Sequence, residues 1–204
     1  MAQSLSLFST PVRRAAFKDA ASLNSEIEAA ALSFTADDEL GRRWSVEHGY
    51  PGYTSYGSIP DLVTRAPCFA ALKTRLDSEA ASFAKELAFD LGRARLKLDN
   101  IWINVMPKGA FHSGHIHPHS VISGTYYVRA PKGAAAIRFE DPRLSMMMAA
   151  PPRCDDAPEA LKPFVYVAPE EGTALLWESW LRHEVVRNAS SRPRISVSFN
   201  YRWG

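Results

Sequence analysis

The stretch "FHSGHIHPHS", residues 111–120, holds four of the chain's six histidines: His112, His115, His117 and His119. Neutral imidazole is a common ligand for transition metals. On extended backbone His115 and His117, at i and i+2, point to one face, where two imidazoles can share an ion. His119 would join them if the strand ran on, but Pro118 favours a turn. His112 lies between Gly109 and Gly114, so its direction is not set. A further ligand must come from elsewhere, and His183 in "WLRHEVVRN" lies 66 residues after His117. A pair from one strand and one residue from a distant strand make a three-ligand face that leaves three positions open. The competing reading is histidines bonded to loops or to water. The isolated His48 in "VEHGYPGY" takes that reading; four in eight residues with a distal partner favour the metal.

A second constellation is "SSRPRISVSFN". Arg192, Arg194, Ser196, Ser198 and Asn200 alternate with Pro193, Ile195, Val197 and Phe199. That pattern is a strand with one polar and one apolar face. Arg194 and Ser196 point the same way and offer a fork and a hydroxyl suited to one carboxylate. Arg194 follows His183 by 11 residues and Arg192 follows it by 9, so a short turn would bring this strand beside the metal. The alternative is an edge strand with its arginines in solvent.

These residues need a β scaffold, and the second half of the chain supplies one. From about residue 95 come "LKLDNIWINVM", "SVISGTYYV", "AAIRFE", "FVYVA", "TALLWES", "HEVVRN" and "RISVSFNYRW". They are short and rich in β-branched and aromatic residues, with no helical segments between them. They read as an antiparallel sandwich or barrel. Residues 1–94 read as mixed and helical support: "FKDAASLNSEIEAAALSF" has helix-forming composition. Phe69, Leu72, Leu76, Ala80, Phe83 and Leu87 recur on one helical face, a brace for a sheet. The whole of 1–204 is expected to form one domain, with its core in residues 95–204. One long connection, Asp141 to Phe164, carries five prolines and Met146, Met147 and Met148. It is either a cover for a substrate or a partner subunit, or a surface flap.

Composition narrows the function. With 24 basic and 22 acidic residues the net charge is +2, which argues for neither nucleic acid nor an acidic membrane surface. No apolar run is long enough to span a bilayer, and the N-terminus lacks the apolar core of a secretory signal. Cys68 and Cys154 match no zinc or redox spacing. The simplest setting is a reducing, cytoplasmic one, and "NAS" at 188–190 is then a chance sequon.

Taken together, "IWINVMPKGAFHSGHIHPHSVISGTYYV", "EDPR", "SWLRHEVVRN" and "RISVSFN" resemble the iron(II)- and 2-oxoglutarate-dependent oxygenases, and within them a bacterial family of 2-oxoglutarate/iron(II) oxygenases. The resemblance covers residues 95–204 and, less closely, the N-terminal opening "LFSTPV". It implies a mainly β double-stranded β-helix, a cupin-like jelly roll with helices outside, and Fe(II) with 2-oxoglutarate and dioxygen as reactants. His115 matches the first ligand of the family's His-x-Asp, His117 stands in the place of its carboxylate, and His183 matches the distal histidine. If a carboxylate were needed, Glu178, Asp141 and Glu184 are nearest in sequence. Arg194 with Ser196 matches the Arg-x-Ser pair that grips the far carboxylate of 2-oxoglutarate, with Arg192 as a fallback. Asn104 matches a polar position that related enzymes use to hold the cosubstrate, and Tyr127 could donate its hydroxyl to the same carboxylate; the competing readings are a strand-edge amide and a barrel-wall aromatic.

The expected reaction is hydroxylation of a C–H bond. Ser123 and Gly124 are expected to leave room for ligands, and Val121, Ile122, Leu175, Leu176 and Trp177 to wall the site from water. Access is expected over Tyr50, Tyr53 and Tyr56 or under the methionine-bearing loop. The substrate, a small molecule or a peptide, is not named by the sequence, and a homo-oligomer is compatible with it. His112 and His119 are either groups that orient the ligands or surface residues. Two other classes fit the histidines: a cupin-like enzyme using manganese, nickel or zinc without an oxoacid, which would not need Arg194, and an inactive barrel that binds a ligand or partner.

Overall fold

A computed structural model describes residues 2–204. Ten strands form two antiparallel sheets. In chain order they are β1 (Val12–Ala16), β2 (Tyr53–Thr54), β3 (Leu96–Met106), β4 (His112–His115), β5 (Ile122–Arg129), β6 (Ile137–Glu140), β7 (Phe164–Val167), β8 (Thr173–Glu178), β9 (His183–Val185) and β10 (Arg194–Trp203). The larger sheet runs β1-β8-β5-β10-β3-β2 and the smaller β4-β9-β6-β7. The seven expected strands are present. Three more are β4, made by the histidine cluster itself, and β1 and β2, through which residues before 95 complete both edges of the larger sheet.

Strand alternation assigns every residue of the larger sheet to one of two faces. Ile195, Val197, Phe199 and Tyr201 of β10 are buried on the outer face with Ile101, Ile103 and Val105 of β3. Three helices cover that face: α1 (Ala20–Asp37), the four-residue α3 (Leu62–Arg65) and α4 (Pro67–Glu86). The α4 stripe of Phe69, Leu72, Leu76, Ala80 and Phe83 is fully buried there, which is the brace its periodicity predicts. The other face looks toward the smaller sheet. Tyr127, Leu175 and Trp177 of the larger sheet pack with Ile137 and Phe139 of the smaller in one interior cluster.

Alternation also divides the expected wall. Leu175 and Trp177 face the interior, whereas Ile122 and Leu176 belong to the helix-covered core, with Val121 packed on it. The role of Gly124 differs from the expected one. A Cβ there would lie 2.3 Å from Phe199 Cζ and 2.5 Å from the Leu175 carbonyl oxygen, so its smallness admits Phe199 rather than a ligand. Another helix, α2 (Glu39–Glu47), is capped by Asp38, whose side chain accepts the Gly41 N–H at 2.9 Å. It carries Trp44 and His48 to the mouth of the barrel.

Candidate metal centre and its two cavities

β4 and β9 pair so that His115 stands directly opposite His183, with their rings 4.4 Å apart. The third imidazole arrives differently from the expected strand alternation. β4 ends at His115, and His117 lies beyond it, its N–H bonded to the Ser179 carbonyl at 3.0 Å. The chain then turns at Pro118, with His119 in the left-handed region at φ 71°. Ligand atoms of His115, His117 and His183 all lie within 4.8 Å of one another, and no other such group occurs among the described residues.

Hydrogen bonds fix the proton on each ring. A carbonyl oxygen only accepts, so His115 Nδ1–H donates to Ser113 O at 2.8 Å and His183 Nδ1–H donates to Leu181 O at 2.9 Å. His117 Nδ1 lies 2.7 Å from Asn200 Oδ1. The Asn200 amide is oriented by its own donation from Nδ2 to Asn100 Oδ1 at 2.8 Å and by the Ser123 hydroxyl, which donates to Oδ1 at 2.7 Å. All three Nδ1 atoms therefore carry hydrogen, and all three Nε2 atoms present lone pairs. Those of His115 and His117 are 3.1 Å apart. Two lone pairs at that distance repel unless a proton or a cation lies between them. Burial opposes the proton: it lowers His115 below its ordinary range, His117 to about 4 and His183 to about 2, with neighbouring imidazoles adding to the last two. Neutral rings with pinned tautomers are what a metal requires.

Beside the histidines lies a recess of about 40 Å³ lined by Asn104, Met106, Trp177, His183, Arg194 and Ser196, among others. Arg194 is only 2% exposed. Its Nη1 donates to Ser196 Oγ at 3.2 Å and meets Met106 Sδ at 3.4 Å, and its guanidinium lies over the Tyr127 ring at 4.9 Å. It forms no ion pair among the described residues, and its Nε and the buried Tyr127 hydroxyl lack hydrogen-bond partners. A buried guanidinium without an acid is unfavourable and calls for an anionic ligand. Asn104 also lines the recess, its Nδ2 donating to Ser198 Oγ at 3.0 Å. Arg192 is exposed, ahead of the strand, and outside both cavities.

The recess opens on a cleft of about 510 Å³, with Tyr50, Trp102, Asn104, His112, His115 and His117 as common walls. His112 packs edge-on against Tyr50 at 5.3 Å between ring centroids. His119 and His48 line the cleft, and His48 stacks on Trp44 at 4.0 Å. Of the expected access tyrosines, Tyr50 and Tyr56 line it, whereas the buried Tyr53 turns its hydroxyl to Asp38. No residue of 141–163 lines either cavity, and Met146 and Met148 are exposed, so that loop is a surface flap here. The alternative carboxylates are directed elsewhere: Asp141 pairs with Arg143, Glu184 with Arg138, and Glu178 lines neither cavity. Asn200 is the residue that sequence reasoning leaves without a task. Its place on the polar face of β10 was the available signal.

A family profile described as "Putative 2OG-Fe(II) oxygenase" matches residues 100–200, the stretch that carries the three clustered histidines and Arg194. No curated protein sequence matches the chain. An oxidoreductase of the 2OG-Fe(II) oxygenase family from Burkholderia pseudomallei is 19% identical over 69% of this chain, at a TM-score of 0.48, and this chain spans 60% of its length. A prolyl-4-hydroxylase from Pseudomonas putida is 17% identical over 95% of this chain and 89% of its own, at a TM-score of 0.60. HygX from Streptomyces hygroscopicus, solved with nickel, 2-oxoglutarate and hygromycin B, is 15% identical over 94% of this chain and 82% of its own, at 0.57. At these identities the likeness is one of fold, a double-stranded β-helix with flanking helices.

Proposed function

The chain belongs to the 2OG-Fe(II) oxygenase family, and we propose that it works as an iron(II)- and 2-oxoglutarate-dependent dioxygenase, with His115, His117 and His183 holding the metal and Arg194 with Ser196 gripping the cosubstrate. The observation that carries this reading is a buried guanidinium, lacking any acid, in the same recess as three inward-facing Nε2 lone pairs. A metal alone would answer the histidines but leave Arg194 unexplained. A dicarboxylate that also reaches the metal answers both.

The donor set fits both groups. Iron and 2-oxoglutarate, when bound, supply activation of dioxygen coupled to decarboxylation of the oxoacid to succinate. The chain's residues do the rest. The acceptors at Ser113, Leu181 and Asn200 hold the three rings in their ligating tautomers. Arg194, with its free Nε, and Ser196 bind the far carboxylate in a charge-assisted pair, and the unpartnered Tyr127 hydroxyl is a further donor to it. Asn104 orients the cosubstrate from the neighbouring strand. Trp177, Ile137 and Val185 line the recess and exclude water from it. Arg192 plays no part in this arrangement.

We read residues 1–204 as one oxygenase domain, in which residues 1–94 support the core at 95–204. No helix among the described residues is long and apolar enough to cross a membrane. A reducing, cytoplasmic setting suits the free Cys68 and Cys154. The test is anaerobic titration of apo-protein with Fe(II) and then 2-oxoglutarate, following the weak visible charge-transfer band of the chelate. The band is expected in the unmodified protein, weakened in Arg194→Ala and absent in His183→Ala. Iron binding without a band would indicate a metal enzyme that does not use the oxoacid, and no iron binding would overturn the reading.

A further inference from the structure

We propose that the outer cleft receives a ring-bearing small molecule that carries an ammonium and no anionic group. The inference rests on the oxygenase reading, because it takes the cleft that opens on the histidines as the substrate's place. Three observations carry it.

The first is the wall. Trp44, Tyr56 and Trp102 form a continuous aromatic run: Tyr56 meets Trp44 edge-on at 5.8 Å and Trp102 edge-on at 5.1 Å. Trp102 in turn stacks on His117 at 5.9 Å. A ring or an onium group lying along this run is led to a metal ligand, and aromatic faces attract cations through their quadrupole. Tyr50 and Phe111 line the cleft as well.

The second is charge. Among the described residues, Asp99 is the only acid that lines the cleft, and neither Lys nor Arg does. A phosphate or carboxylate placed there would lose water and meet no Lys or Arg in the lining, which is unfavourable. An ammonium would gain a carboxylate. The backbone shows why Asp99 is available. Asn200 pairs with Asn100 and Tyr201 with Leu98, so Asp99 is the extra residue of a β-bulge. Bulges re-aim a side chain next to active sites, and this one brings Asp99 and Asn100 to the cleft together. Asp99 also pairs with Arg202 at 3.1 Å, but that pair is solvent-exposed, and such pairs are weak and readily exchanged.

The third is size. A volume of about 510 Å³ lies in the range of small-molecule sites.

The test uses three probes of one shape: cyclohexylamine, cyclohexanol and cyclohexanecarboxylate. Ligand-observed NMR titrations measure their affinities for the apo-protein, and again with Zn(II) and 2-oxoglutarate present so that an anion gains nothing from a vacant metal position. The ammonium is expected to bind about tenfold or more tightly than the carboxylate, with the alcohol between them. Asp99→Asn should bring the ammonium level with the alcohol. Tyr56→Ala, at a half-exposed side chain whose loss leaves the core intact, should weaken all three probes. A carboxylate that binds as tightly as the ammonium, or an ammonium that does not bind, overturns the inference. The metal–oxoacid titration described above is read separately. If that band forms and the charge order does not, this inference alone falls. If the order holds and the band never forms, the ligand class stands and its role as a substrate falls with the oxygenase reading.

Discussion

Replacing Asn200 by Leu should separate metal binding from folding. The leucine fills similar volume, so no cavity opens. Three hydrogen bonds are lost: those from His117 Nδ1 and Ser123 Oγ to Oδ1, both at 2.7 Å, and that from Nδ2 to Asn100 at 2.8 Å. Ser123 keeps its bond to Ser179 at 2.8 Å, and the partly exposed Asn100 can turn to water. The loss of stability should therefore stay near 1–2 kcal/mol. His117 has no such substitute. With nothing to accept from Nδ1, its hydrogen is free to move to Nε2, and each ring in that state withholds its lone pair from the metal. Loss of an orienting partner of this kind weakens metal binding about 10–100-fold, or roughly 1.4–2.7 kcal/mol. The assay is competition for Zn(II) against a chromophoric chelator, paired with long-range ¹H–¹⁵N correlation on the apo-protein to read the His117 tautomer. Asn200→Asp keeps the acceptor and should keep both the tautomer and tight binding. A leucine variant with unchanged zinc affinity and hydrogen still on Nδ1 would refute this account of the third ligand.

Three further outcomes follow from the same geometry. Arg194→Met removes a buried charge that has no acid, so the metal-free protein should gain about 1–4 kcal/mol while 2-oxoglutarate binding, read by calorimetry, is lost; a destabilised variant would show that an anion from the chain satisfies Arg194. Gly124→Ala forces a methyl against Phe199 and the Leu175 carbonyl, and the melting temperature by calorimetry should fall by roughly 3–10 °C; an unchanged value would contradict the packing. Burial holds His117 at about 4 and His183 at about 2, below the ordinary 6.5. The unfolded chain gains protons as pH falls through 6.5 and the folded chain does not. Denaturant titrations of metal-free protein should thus show stability that is full above 6.5 and declines toward pH 4, at roughly 1.4 kcal/mol per pH unit for each ring. A flat profile would mean that these rings are not buried as neutral groups.

Legibility in the sequence followed the range of the interaction that decides each feature. β3 and β10 could be bounded from their residues because a period of two is written into them, Leu96–Met106 and Arg194–Trp203. The same period put Arg194 and Ser196 on an inward face. β4 was not legible: "HSGH" has little strand character and is extended because it pairs with β9 across a bulge. α2 carries few apolar residues and buries only Gly41 and Ser45, so no periodic stripe announces it. His117 was placed beside His115 by spacing, but what holds it is Ser179 and Asn200, the latter 83 residues away. Alternation alone does not say which faces of β5 and β8 meet the helices, and Ile122 and Leu176, expected in the wall of the site, lie instead in the helix-covered core.

The third imidazole alters the charge of the interior. Every histidine in the cluster is a neutral ring, no carboxylate among the described residues lines the recess, and Arg194 adds a cation. A divalent metal bound there would keep both its charges, so the inner end of the barrel is strongly positive toward whatever enters it. The outer cleft has the opposite character: among the described residues its one acid is Asp99, and neither Lys nor Arg lines it. A dianionic cosubstrate is thereby drawn inward past a wall that offers it nothing, and a cation is held outside by the field of the metal. The two reactants would be sorted by charge before either is recognised by shape, and the boundary between the two regions falls at His112, His115 and His117, which line both.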